Sequence, residues 1–194
     1  MPITFHDTEE IEELGYAAFL QVEAAPGGND RFGALLFVNA RGEPMEFIYN
    51  RISLLNGLLW RASDREQAAV RRLLLTLFPI TTLIPKLLFC RASIVGPHLF
   101  GSAGDITLEI PVGRIATAEE AVGYAGKECH ESITTSDNTG AAREIHLFWT
   151  PGKPDGTAAD LFACLADRGL LLEPFERAGK GLREVYSDIL GAEE

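Results

Sequence analysis

The sequence predicts an α/β fold, with α+β as its near variant. The expected sheet is mixed, begins as a three-stranded antiparallel meander and carries helices on both faces. Three observations predict it. Residues 32–51, FGALLFVNARGEPMEFIYNR, read as two strands joined at Ala40-Arg41-Gly42-Glu43. Two Ser/Thr-x-x-Glu signatures, at Ser63–Glu66 and Thr117–Glu120, announce helix starts. Short apolar runs bounded by Pro and Gly, such as KLLFCRA at 86–92, read as buried strands.

The elements follow in order. Residues 16–24 alternate as a first strand, and Pro26-Gly27-Gly28-Asn29-Asp30 forms a loop. In the second strand, 32–40, both faces are apolar, which places it inside the sheet. Gly42 supplies the positive φ of the turn. Pro44, with no N–H for a ladder, belongs at the start of a third strand over 45–53 with a wetter face, nearer an edge. From Ser63 a helix runs to about Phe78 on a stripe of Val70, Leu73, Leu74 and Leu77, and Pro79 ends it. Residues 86–92 form a fourth strand and 105–115 a fifth. A short helix spans 117–129, a polar loop 132–143, a strand 144–150 and a helix 157–167 that stops at Gly169. Pro174 opens a last helix with a stripe of Phe175, Ala178, Leu182, Val185 and Ile189, weakened by Gly179 and Gly181.

The chain of 194 residues suits one domain over 1–194, with a seam, if any, at 93–104. Hydrophobic residues at 46% suffice for a core, and charged residues at 23% argue against disorder. The net charge of −11 makes the average surface repel phosphate, which argues against nucleic acid as a partner. The best local basic patch in sequence is Arg61, Arg65, Arg71 and Arg72. Cys90, Cys129 and Cys164 are odd in number and far apart, as buried reduced thiols in a cytoplasmic protein would be. The acidic N-terminus is unlike a secretory leader, and no apolar run is long enough to span a bilayer.

Chemical motifs are sparse. Cys129-His130, flanked by Glu128 and Glu131 with His146 downstream, is the densest group of metal-ligand types, but it lacks paired ligand spacing. A helix end with an exposed histidine is the expectation, with no metal and no cofactor. Pro151-Gly152-Lys153-Pro154-Asp155-Gly156-Thr157 sits between strand and helix, yet its two prolines remove the N–H groups of a phosphate cradle. It reads as a turn with a threonine cap. Trp60 and Trp149 read as packing anchors. Without a catalytic constellation, the sequence points to a non-catalytic protein-interaction module or accessory subunit with a protein partner or a second copy. Leu54, Leu55, Leu58, Leu59 and Trp60 are its candidate interface.

The order strand, strand, strand, helix, strand across 16–92 is similar to the start of the ribonuclease H-like fold. The resemblance is topological and covers under half the chain. It implies an alternative function, a metal-dependent phosphodiesterase or nuclease of degenerate type. In that family, metal-binding carboxylates come from the first strand, the helix and the fourth strand. The matching acids here are Glu23 and Glu66, and the fourth strand KLLFCRA has none. Two-metal hydrolysis needs several converging carboxylates, so the resemblance implies a site that lacks one.

Overall fold

The computed structural model describes residues 13–25, 29–54, 61–100, 106, 108–121, 129–136 and 141–190. Seven strands form one mixed sheet: β1 (Tyr16–Ala24), β2 (Asp30–Asn39), β3 (Pro44–Ser53), β4 (Leu87–Arg91), β5 (Val112–Thr117), β6 (Cys129–Ser136) and β7 (Ala142–Thr150). Their order across the sheet is β3-β2-β1-β4-β5-β7-β6. The β1–β4 and β4–β5 pairs are parallel, and the remaining pairs are antiparallel.

The meander stands as the sequence predicts. Gly42 has φ 81° in the β2–β3 turn, and its N–H donates to the Asn39 carbonyl at 2.9 Å. Pro44 opens β3 beside a register shift at Phe37/Val38, where a missing donor does no harm. Central β2 is buried on both faces, and β3 lies at the edge.

Helices cover both faces. On one face α1 (Ala62–Leu77) lays Ala69, Val70, Leu73, Leu74 and Leu77 over Ala18, Leu20, Leu35, Leu88 and Cys90. On the other, α3 (Gly156–Asp167) and α4 (Glu173–Val185) cover Ala17, Phe19, Leu36, Phe89 and Ile115. A short α2 (Ala118–Ala121) follows β5, and α5 (Ser187–Leu190) follows α4. No helix among the described residues is long and apolar enough to cross a membrane.

Local expectations fare unevenly. The Thr117 capping box forms: Glu120 accepts from the Thr117 N–H at 2.8 Å, and Thr117 Oγ1 accepts from the Glu120 N–H at 3.4 Å. The Ser63 box does not, because Glu66 turns to Arg31 and Ser63 donates to Asp64. The fifth strand is Val112–Thr117, and its expected start at 105 lies outside the described residues. Residues 129–136, expected as a helix end and a loop, form edge strand β6, paired with β7 from Cys129↔Trp149 to Ser136↔Ala142. Its solvated face carries His130, Ser132 and Thr134, and its inward face offers a single aliphatic side chain, Ile133, beside Glu131 and Thr135, so its polarity read as loop. The last helix breaks at Tyr186. Leu54 is 8% exposed and belongs to the core under α1, whereas Leu55, Leu58, Leu59 and Trp60 lie outside the described residues.

Leu36, 3% exposed in β2, packs against the α3–α4 layer. Leu36→Ala is expected to cost about 2–5 kcal/mol in chemical denaturation. An unchanged midpoint would contradict its place in the core.

Candidate functional site

The parallel β1–β4 register, which runs to Leu20↔Cys90, places Gln21 and Arg91 side by side one step further on. Strand alternation turns both toward α4, along with Glu23, because Ala17 and Phe19 on β1 and Leu87 and Phe89 on β4 already pack there. Gln21, Glu23 and Arg91 line a pocket of about 310 Å³ with Ile94 and, from α4, Phe175, Glu176, Gly179, Lys180 and Arg183. It lies at the carboxyl ends of two parallel strands, the usual ligand position in open α/β sheets.

The charges in the pocket are arranged unevenly. Arg183 donates to Glu23 at 2.6 Å, an ion pair across the helix–sheet junction. Gly179 permits this approach, since a Cβ there would stand 2.8 Å from Glu23 Oε1. The Arg91 guanidinium lies over the Phe175 ring, 4.7 Å from its centroid. Burial pushes its pKa down from the ordinary value. Glu120 and Glu176 oppose that push and Arg143 adds to it. Among the described residues, neither the Arg91 nor the Lys180 side chain makes a hydrogen bond or an ion pair. Three cations face two carboxylates, which leaves one net positive charge in a chain whose total is −11.

The structure does not bring Glu23 and Glu66 together. Glu23 faces α4, while Glu66 projects from α1 on the opposite face and binds the Arg31 guanidinium through both oxygens. The position on β4 that faces Gln21 carries Arg91, a cation. Among the described residues no three His, Cys, Asp or Glu side chains converge to hold a metal ion. The two carboxylates of the pocket sit among three cations, one of them already paired with Glu23, so these residues do not fit a metal pair.

The other motif residues lie elsewhere. Cys129 and His130 project to opposite faces of β6. His130 stacks on His146 and Phe148, with ring nitrogens of the two histidines 2.9 Å apart. The thiols differ from expectation: Cys90 is buried and its pKa is pushed up to about 12, but Cys129 is exposed on the edge strand. In the 151–157 turn, Asp155 rather than Thr157 occupies the helix-cap position, and Lys153 binds Glu131 at 2.7 Å. Trp149 is buried and donates to Glu131 at 2.5 Å. Sequence reasoning missed Gln21, Arg91, Glu176, Lys180 and Arg183. Glu176, Lys180 and Arg183 recur at helical spacing, but nothing in the sequence sets them opposite β1 and β4.

No protein-family description matches the sequence, and no curated protein matches it. The fold, however, is similar to solved structures. Endonuclease V from Streptomyces avermitilis superposes with a TM-score of 0.53 at 14% identity, covering 97% of this chain and 97% of that one. Endonuclease V from Bacillus subtilis gives 0.50 at 12% identity, covering 89% and 81%. This likeness fits the ribonuclease H-like order read from residues 16–92. It also overturns two expectations. The non-catalytic protein-interaction module gives way, because the solved structures that share this fold over most of both chains are endonucleases. The argument from net charge against nucleic acid gives way too, because it averages over a surface on which this pocket is locally cationic.

Glu66 yields a pH test. Its hydrogen bond with Arg31 holds its carboxyl below the usual range, against the opposing effect of burial. A depressed folded-state pKa adds stability above the ordinary value of about 4.3, which is lost as pH falls through the folded one. The stability advantage of the native chain over Glu66→Gln should therefore shrink on acidification below about pH 4.3. An advantage that stays constant down that limb would mean the pair is absent in solution.

Proposed function

We propose that the protein is a nucleic-acid-processing protein that grips the phosphodiester backbone where β1 and β4 end beneath α4. One observation carries this reading: the Arg91 guanidinium and the Lys180 ammonium line that pocket without a hydrogen-bonded or ion-paired partner among the described residues. A planar guanidinium offers forked donors that match phosphate oxygens, and an ammonium adds a point charge. Phe175 fixes the guanidinium in place before a ligand arrives. Similarity in fold to Endonuclease V supports nucleic acid as the substrate class.

The pocket's acid–base groups are Glu23 and Glu176. They are the side chains able to move a proton at a bound phosphodiester. Glu66, bound to Arg31 on the far face, has no part in this reading. Free cysteines suit a reducing compartment, so cytoplasmic residence is part of the proposal.

Fluorescence anisotropy with labelled single-stranded and duplex oligonucleotides tests it. The native chain should bind one of them. Arg91→Ala and Lys180→Ala should each weaken binding about ten- to hundred-fold, the range for hydrogen bonds to charged groups. With Arg91 and Lys180 meeting one or two phosphates of a single strand, the slope of log K against log salt should be shallow, about −0.7 to −1.4. Lys153→Ala, remote and paired with Glu131, should leave affinity unchanged. Absence of binding to every oligonucleotide, or equal losses at Lys153 and Arg91, would overturn the reading.

A further inference from the structure

The ribonuclease H-like resemblance calls for carboxylates on the first and fourth strands around a metal pair, and this chain offers a different charge pattern at that place. Gln21 is neutral, Glu23 is held by Arg183, and Arg91 presents a guanidinium where an acid would be needed. We infer that the pocket is a metal-independent phosphate clamp, in which Arg91 and Lys180 supply the positive charge that divalent cations would otherwise bring to the phosphodiester. The inference rests on the nucleic-acid reading above and says how that ligand is held.

Three features support it. First, the charge balance is right for one phosphodiester: a net positive pocket is neutralised by a monoanion, whereas a divalent cation would add to the excess. Second, the cation at the centre is fixed. Arg91 lies on Phe175, and its strand is locked between β1 and β5. Third, neither pocket carboxylate stands clear of a cation. Arg183 donates to Glu23, and Glu176 acts electrostatically on Arg91. A metal ion would have to break the first interaction and sit against the second.

The test separates metal from phosphate. Oligonucleotide affinity of the full chain is measured in excess EDTA and again with Mg²⁺ or Mn²⁺, and Mn²⁺ alone is titrated by calorimetry. The native chain should bind the oligonucleotide equally in both media and give no saturable Mn²⁺ heat. Arg91→Glu reverses the central charge beside Glu23 and Glu176. It should lose metal-free oligonucleotide binding by at least about ten-fold and gain a saturable Mn²⁺ site. Circular dichroism checks that the variant is folded. Lys180→Glu, on the helix surface, provides a second charge reversal with the same expected loss in EDTA. Oligonucleotide binding that appears only with a divalent cation would overturn the clamp while leaving the nucleic-acid reading intact. Failure to bind in either medium would overturn both. Saturable Mn²⁺ binding by the native chain, competing with the oligonucleotide, would also overturn the clamp.

Discussion

The parallel pairing of β1 with β4 is the constraint on which the rest of the structure depends. Parallel neighbours need a crossover between them, and parallel sheets are stable when covered on both faces. Here β2, β3 and α1 form the long connection, and α1 returns across one face of the strands it links. The remaining face is left for α3 and α4. Both strands therefore need apolar side chains on both sides, and Ala17–Leu20 and Leu87–Cys90 are all buried. Where that run ends, at Gln21 and Arg91, polar side chains appear next to each other at one end of the sheet. The pocket is a direct consequence of where two apolar runs stop in register.

The way α4 lies on the sheet turns that adjacency into a site. The helix carries two glycines, which weaken it in isolation by roughly 1 kcal/mol each. The structure gives each a packing role. Gly179 lies over the Glu23–Arg183 pair, and a Cβ at Gly181 would come within 2.7 Å of the Phe47 ring. Close approach then brings Phe175 under the Arg91 guanidinium and sets Lys180 on the same pocket. A partly buried guanidinium with no carboxylate bonded to it is a poor choice for stability alone, since desolvation is left without the offset of an ion pair. Ion pairs elsewhere in the chain, Arg31–Glu66 and Arg177–Glu173, show the alternative that this position lacks. Such local inconsistency is expected at functional sites.

Much of the fold was legible because its signals are local. The meander, the α1 stripe and strand β4 follow from alternation, helical spacing, Gly42 and Pro44. Strand β6 was not legible. Its residues, CHESITTS, are held by pairing with β7, a contact that no local pattern encodes. The Ser63 capping box failed for a similar reason: Arg31, 35 residues upstream of Glu66, outcompeted the helix's own N–H groups. Of the site, Glu23 alone was singled out in advance. Arg91 was read as the end of a buried strand, and its meaning depends on Gln21, 70 positions earlier, and on Phe175, 84 positions later. A site assembled from three distant segments has no spacing for a motif to capture.

Net charge misled for a reason that can be quantified. At physiological ionic strength the Debye length is about 8 Å, so acidic groups farther than that from a bound phosphate are largely screened. In the pocket itself Arg91, Lys180 and Arg183 outnumber Glu23 and Glu176, and the two further charges that act on Arg91, Glu120 and Arg143, are opposite in sign. The same arithmetic disfavours a divalent ion. At a separation of about 5 Å and an effective dielectric constant of about 20, a dication and one guanidinium repel by roughly 6–7 kcal/mol. Single carboxylates at similar distances attract a dication by the same amount each, and here the cations equal or exceed them in number. A phosphodiester reverses every sign in that comparison. In the proposed reading, the chain total of −11 limits long-range capture of nucleic acid more than it limits affinity at contact.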